Sequence, residues 1–306
     1  MYKEIYHTKK EFSSSTDLPL SWTNNTGDEK VSIIQIGRKN IWLNGGSFNS
    51  IENFTSSIKK ISKEKKVIIR GCNQNVLKEL RENGFNETLF AKEAIIELNK
   101  EISFSKKAKR RIGSLLRRGT IREVSYSEDG ISQLENFTKT TIHCEKPKLK
   151  NLFLDNFSEK TRLFIYEIIP NQWEGAILLS KNSTFKIQGE QFYRKKDGIN
   201  GIMDVLVYRI CQIIKDEGYS EFSLGEVPFV AKDESSNFSK TNILSYIGRK
   251  IKFVYNHEGL YYFKDKFATR WDDIFICTNR KLRFYDIFKM AKKSNLLSLT
   301  LYKIFN

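Results

Sequence analysis

The stretch Gly259-Leu-Tyr-Tyr-Phe-Lys-Asp-Lys-Phe-Ala-Thr-Arg-Trp271 sets Tyr261, Tyr262, Phe263, Phe267 and Trp271 around Lys264, Lys266 and Arg270. Read as a strand, it puts Phe263, Asp265 and Phe267 on one face and Lys264 and Lys266 on the other. Read as a helix, it stacks Phe263 on Phe267 and Lys266 on Arg270. In both readings, cations stand beside rings that lower the local dielectric, a setting suited to a phosphate or a developing oxyanion. The plainer reading is a basic, aromatic edge that packs the core and solvates its charges.

The same excess of cations runs through the whole chain. Its 306 residues hold 52 Lys and Arg against 36 Asp and Glu, a net charge of +16. Such a balance predicts attraction to polyanions, either nucleic acid or anionic lipid. The length suggests about two domains. A hydrophobic content of 40% excludes a disordered chain.

The densest block of charge is Ser103 to Arg122. It holds Lys106, Lys107, Lys109, Arg110, Arg111, Arg117, Arg118 and Arg122 without one acid. Ser105 can cap a helix there and Gly119 can stop it. Ala108, Ile112, Leu115 and Leu116 fall on one stripe. The spacing therefore predicts an amphipathic helix, buried on one side and cationic on the other. Its bare positive face points to polyanion contact rather than simple solvation.

Other chemistries are disfavoured. Cys72, Cys144, Cys211 and Cys277 are far apart, which argues against a zinc site or a disulfide framework and for a reduced compartment. His7, His143 and His257 are equally scattered. In His143-Cys144-Glu145, neighbouring side chains point in different directions and do not make a catalytic set. No apolar window approaches the length of a membrane span, and the N-terminus lacks a signal-peptide core. The expectation is a cytoplasmic protein, soluble or peripheral on the inner face of the membrane.

Elsewhere strand and helix patterns alternate. Residues 1–30 are polar, with Ser13-Ser14-Ser15 and Asn24-Asn25, though Trp22 marks a docked part. Strands are expected at Val31–Ile36, Ile41–Leu43, Lys66–Arg70 and Phe90–Leu98, with helices at 50–61 and 75–84. The second half repeats the alternation. A helix is expected at 132–142 and strands at 161–169, 174–180 and 184–194, with a turn at Pro170-Asn171-Gln172. A helix then runs from Met203 to Glu217, followed by a strand at Phe222. Residues 231–257 read as a polar insert. The C-terminal segment 280–305 is basic and apolar together, which suits either a membrane surface or a cover for the second half's sheet.

Several of these stretches resemble one known family. Phe263, Lys264, Lys266, Phe267, Arg270 and Trp271 match the Phe-Lys-x-Lys-Phe-x-Pro-Arg-Trp signature of the catalytic domain of bacterial phosphatidylglycerol lysyltransferases, with Thr269 in place of proline. Arg194 and Gly201-Ile202-Met203-Asp204 resemble that family's Asp-x-x-Arg and Gly-Met-Asp, with Gln191 where the aspartate stands and Glu190 beside it. Gly218-Tyr219 and Phe222-Ser-Leu-Gly-Glu-Val-Pro-Phe229 resemble the next conserved run. The basic helix resembles the one between the two halves of these enzymes and of peptidoglycan-bridge aminoacyl transferases. The likeness spans roughly residues 31–290. The family's full-length members carry a large membrane domain before the catalytic one, and this chain departs from them there.

The resemblance implies an α/β fold of two tandem acetyltransferase-like (GNAT) domains with mixed central sheets. Residues 1–122 would form the first domain, ending in the basic helix 105–118, and residues 123–306 the catalytic one. It implies an aminoacyltransferase that moves an aminoacyl group from aminoacyl-tRNA to a phospholipid head group. No metal and no cofactor beyond that co-substrate is expected. Lys266, Arg270 and Arg194 would carry catalysis. Glu190, Gln191, Asp204, Glu226, Lys264 and Trp271 would contact substrate. Lys106, Lys107, Lys109, Arg110, Arg111, Arg117 and Arg118 would hold the tRNA, and an anionic phospholipid or membrane surface is the second partner. Loss of the family aspartate leaves the amino acid open. Two alternatives stand beside this. One is an acyl-CoA N-acyltransferase, since Arg194, Gly198 and Gly201 loosely match a pyrophosphate loop. The other is a non-catalytic module that binds nucleic acid or a membrane surface.

Overall fold

The structure, a computed structural model, describes residues 17–24, 27–102, 104–228 and 257–305. The stretches 1–16 and 229–256 lie outside it, and with them most of the polar insert expected at 231–257.

Local signals set most boundaries. Ser50 accepts from the Asn53 amide and starts α1 (Ile51–Ser62), while Asn73 accepts from Asn75 and Val76 at the head of α2 (Gln74–Glu82). Ser105 accepts from Ala108 and opens α3 (Lys106–Arg118). Gly119, which follows, is extended rather than left-handed. A side chain there would run into Tyr166 and the Glu167 carbonyl, so close approach demands the glycine. The next helix, α4 (Glu128–Thr138), begins four residues before its expected start. Ser127 caps it, and Glu128 and Asp129 favour its positive end.

The strands of the first half are β1 (Thr23–Asn24), β2 (Lys30–Gln35), β3 (Asn40–Phe48), β4 (Lys66–Cys72) and β5 (Asn86–Glu97). Those of the second are β6 (Thr120–Val124), β7 (Thr161–Ile169), β8 (Gln172–Lys181), β9 (Lys186–Arg194) and β10 (Glu221–Pro228). Between β9 and β10 runs α5 (Ile202–Asp216), stopped at Gly218 with φ of 92°. The stretch 259–271 divides between its two readings. It ends α6 (His257–Asp265), turns, and enters β11 (Arg270–Thr278). Two more helices follow, α7 (Phe284–Lys293) and α8 (Leu296–Phe305).

Among the described residues, all the strands join in one mixed sheet, ordered β1-β3-β4-β11-β5-β10-β9-β8-β7-β6, with β2 on β3. The last strand does not stay with its sequence neighbours. β11 threads antiparallel between β4 and β5, and β5 in turn pairs antiparallel with β10. The sheet is therefore continuous from one half to the other. The division expected at residue 122 falls within β6, at the sheet's far edge.

Helices α1 and α2 cover one face of the first half, where Trp22 is fully buried against Phe48 and Phe54. Helices α3 and α5 cover the second half through Ile112, Leu115, Leu206 and Ile210. Leu116, expected on the buried stripe of α3, is instead exposed. Helix α7 lies on the opposite face of the first half, where Met290 packs with Ile36, Trp42, Ile68 and Ile276. The C-terminal segment thus covers the first half rather than the second. Its anchor is a buried ion pair, Lys66 Nζ to Asp286 at 2.5 Å, with Asn40 donating to Asp286 at 3.0 Å.

Candidate functional site

Parallel β9 and β10 pair only over Lys186–Gln188 and Glu221–Ser223. Beyond Ser223, β10 bulges against β5, and Gly225 takes φ of 80°, a conformation that costs other residues strain. The two strands part there. A buried carbonyl freed from a ladder must find another donor, and Lys264 of α6 supplies it. Its Nζ lies 2.9 Å from the Glu226 backbone oxygen. Lys264 is only 5% exposed. Burial pulls its amine down to about 7, with Glu226 and Glu93 acting in the opposite sense.

Two buried carboxylates, Glu190 and Glu226, lie around Arg70. Glu190 accepts from Ser180 Oγ at 2.6 Å, Ser21 Oγ at 2.9 Å and the Leu154 amide at 3.1 Å. Burial nevertheless raises its pKa. Arg70 donates to Glu226 Oε1 and to the Leu152 carbonyl, and its guanidinium faces the Phe153 ring at 5.6 Å. Glu226 Oε2 is buried with no partner among the described residues.

Behind these, Lys186 Nζ reaches Asp17 at 2.6 Å and Glu93 at 3.5 Å, and Ser223 donates to Glu93 at 2.5 Å. Burial raises Glu93. It also opposes the Lys186 charge, but Glu93 and Asp17 outweigh it and hold that amine above its ordinary value.

The remaining expected residues fall into separate places. Lys266 Nζ pairs with Asp204 at 2.6 Å in the first turn of α5 and lies over the Phe263 and Phe267 rings, 5.0 and 5.1 Å from their centres. Arg111 reaches the same Asp204 at 3.8 Å, and its side chain lies on Gly201. Asp204 therefore joins the aromatic stretch to the basic helix.

Arg270 is spent among three carboxylates: Glu221 at 2.8 Å, Asp272 at 2.8 Å and Glu97 at 3.4 Å. Burial disfavours its charge, but these partners hold it protonated. Trp271 stacks on Tyr261 at 4.7 Å and donates to Asp265. Gln191 and Arg194 are half-buried on the outer part of β9. Lys106, Lys107, Lys109, Arg110, Arg117 and Arg118 are exposed along α3, while Arg111 is half-buried.

The structure thus links Lys264 to the Glu226 backbone, joins Glu226 to Arg70, whose charge also acts on Glu190, and pairs Lys266 with Asp204. Arg70, Glu93, Lys186, Asp17, Ser21 and Ser180 were not foreseen. For Arg70 and Lys186 the signal was a charge inside an otherwise apolar strand, as in Val67-Ile-Ile-Arg70 and Phe185-Lys-Ile187. A strand buried on both faces keeps such a charge only when it is paired.

Comparison with known proteins bears on the family and the fold. Residues 192–278 match the family model described as phosphatidylglycerol lysyltransferase, C-terminal. No curated protein matches the chain. Among solved structures, L-PGS from Bacillus licheniformis superposes with a TM-score of 0.67 at 18% identity, covering 88% of this chain and 86% of that one. The C-terminal domain of a protein described as a lysylphosphatidylglycerol synthetase, from Agrobacterium fabrum, gives 0.63 at 16% identity, covering 89% and 88%. FemX gives 0.53 at 12% identity, covering 80% and 83%. The chain therefore carries the C-terminal phosphatidylglycerol lysyltransferase signature over residues 192–278, on the fold of the lysylphosphatidylglycerol synthase domains.

Proposed function

We propose that this protein is an aminoacyltransferase that moves an aminoacyl group from aminoacyl-tRNA onto a hydroxyl of an anionic phospholipid head group. The observation that carries the reading is Lys264, a buried amine held at about 7 against the backbone oxygen of Glu226. A base is most effective when its pKa lies near the working pH. The ester donor is already activated, so positioning and charge stabilisation supply most of what remains.

In this reading Lys264 takes the proton as the lipid hydroxyl oxygen attacks the ester carbonyl. The new ester bond forms, the bond to the tRNA ribose oxygen breaks, and that oxygen receives the proton. Glu226 and Glu190, with Gln191 on the same strand, hold the substrate amine. Lys266, steered by Asp204, meets a phosphate of the tRNA 3′ end, and Arg194 orients it. Trp271 supplies an aromatic wall, and the exposed face of α3 carries the body of the tRNA. Arg270 contacts an anion only if one of its three carboxylates yields.

The family match over residues 192–278 supports a transferase of this class. No helix among the described residues is long and apolar enough to cross a membrane, so a lipid acceptor would be met at the membrane surface. Lipid extraction and mass spectrometry of cells with and without the gene test the reading. An aminoacylated phospholipid that depends on the gene is expected, and identical lipid profiles would overturn it.

A further inference from the structure

Glu93 is fully buried on β5, yet no step of the transfer uses it. It stands directly opposite Glu226 across the ladder between β5 and β10. Like charges in facing positions destabilise a sheet. Two cations divide this pair: Arg70 takes Glu226, and Lys186 lies 3.5 Å from Glu93. Lys186 is held in turn by Asp17 at 2.6 Å, and Asp17 by Asn73 at 2.6 Å, the residue that caps α2. Glu93 Oε2 is still buried without a partner among the described residues. Well-packed apolar residues often serve stability as well as a buried ion pair does, or better. Stability alone therefore gives no reason for a carboxylate here.

What Glu93 reaches is the bulge of β10. Ser223 Oγ donates to Glu93 Oε1 at 2.5 Å and accepts from the Gly225 amide at 3.0 Å. A hydroxyl has one proton, and committing it to Glu93 turns a lone pair toward the amide. A serine bonded to the backbone two residues on holds a tight turn. Leu224 and Gly225 are the two residues that the bulge sets against Ala94, between the pairs Ser223–Ile95 and Glu226–Glu93. The following carbonyl, that of Glu226, receives Lys264. A Cβ on Gly225 would lie 3.5 Å from Lys264 Nζ, so bulge and amine are in contact.

We propose that Glu93 is a positioning residue for the transfer: by orienting the Ser223 hydroxyl it locks the Gly225 bulge, and the locked bulge holds the Glu226 carbonyl against Lys264. The inference rests on Lys264 as the base of the proposed reaction. No hydrogen bond joins Glu93 to Lys264 among the described residues, so its action runs through Ser223. The line Asn73, Asp17, Lys186, Glu93, Ser223, Gly225 thereby ties the head of α2 to the base. If Glu93 only neutralised Lys186, Ser223 would have no part in the rate.

Single and double variants of the full chain test it. Glu93→Ala and Ser223→Ala should each lower kcat by about 10–10²-fold with KM little changed, since a displacement of ~1 Å can cost about 10²-fold. The double variant should be no slower than the slower single one, because both changes break one chain of contacts. Glu93→Gln still accepts from Ser223 and should recover most of the loss. Additive losses overturn the assignment, and so does a glutamine variant as slow as the alanine one. Native kcat in Ser223→Ala also overturns it, and this variant serves if Glu93→Ala fails to fold. Solvent exchange of the Gly225 amide, followed by NMR, tests the lock without any turnover. It should quicken in Glu93→Ala as in Ser223→Ala, and native exchange in folded Glu93→Ala overturns the assignment. Quickened exchange in a protein whose native form transfers no aminoacyl group upholds the lock and removes the transfer reading instead.

Discussion

Lys264 Nζ donates to the backbone oxygen of Glu226 at 2.9 Å, in the gap where β9 and β10 part. One amine thus replaces a missing ladder bond and meets the fold's need for a buried donor. It carries no carboxylate partner at hydrogen-bond distance among the described residues, which leaves its charge poorly compensated. The same hydrogen bond therefore places a titratable base where β9 and β10 part.

The amine of Lys264 should be visible in a pH profile. Transfer is expected to rise through about pH 7 as the amine loses its proton. Lys264→Arg cannot deprotonate and should lose about 10²–10⁴-fold together with that limb of the profile. Steady-state rates across the range check it, and a native profile in the variant would remove Lys264 from the chemistry.

The same lysine should leave a mark on stability. Its folded value of about 7 lies below the ordinary ~10.4 of an unfolded lysine. Between those values the unfolded chain binds more protons, so this group makes stability rise with pH across that window. Below about pH 7 both states are protonated and the burial penalty is present in full. Lys264→Met should flatten the rise, as read from denaturant midpoints at several pH values. An unchanged slope would place the titration elsewhere.

Lys266 and Arg270 should separate. Lys266 is 46% exposed, and its pair with Asp204 is screened by solvent. Lys266→Ala should lower transfer more than tenfold, with the melting temperature hardly moved, since one oriented charged donor is worth about 2.7–4 kcal/mol in the transition state. Arg270→Ala frees three carboxylates on β5, β10 and β11 and should lower both transfer and melting temperature. Full activity in Lys266→Ala would clear it from the site. A stable but inactive Arg270→Ala would make that residue an anion ligand rather than a clamp.

Helix α3 should govern the salt dependence of tRNA binding. Reversing Lys106, Lys107, Arg110 and Arg117, all exposed, should weaken binding and flatten its log–log salt slope by about 0.7–0.9 for each phosphate no longer neutralised. Arg111 is kept because it pairs with Asp204. Filter binding at several salt concentrations measures the slope, and an unaltered one would make α3 a structural element.

Membrane attachment should depend on the surface of α7 and not on its presence. Removing the segment would strip Asp286 from Lys66 and Met290 from the core, so point changes are the cleaner probe. Lys289, Lys292 and Lys293 changed together to Glu should prevent co-sedimentation with phosphatidylglycerol vesicles, each cation near the surface being worth about 1 kcal/mol. Undiminished pelleting of the folded variant would move the attachment elsewhere.

Much of this molecule is written locally. Ser50, Asn73 and Ser105 start helices because a side-chain oxygen two or three residues ahead of an amide can cap it, whatever lies beyond. The cationic face of α3 and the turn at Asn171 are likewise properties of neighbours in sequence. The family motifs around Arg194, Asp204 and Lys266 were legible for the same reason. Even there, the stretch 259–271 carried two periodicities at once, and only the fold divided it into the end of a helix and the start of a strand.

The remainder required the chain to close on itself. Nothing near β11 says that it will pair between β4 and β5, because strand partners are chosen by the whole sheet. The depressed amine of Lys264 is not a property of lysine beside phenylalanine. It comes from a gap between two strands some forty and seventy residues upstream and from the loss of water there. Arg70, Glu93, Lys186 and Glu190 belong to separate strands and became one buried network only when those strands met. Neighbouring residues were enough for the helices, the charge and the motif. Which of the charges would be buried waited on the assembled layers, because burial is their property and not that of any residue's neighbours along the chain.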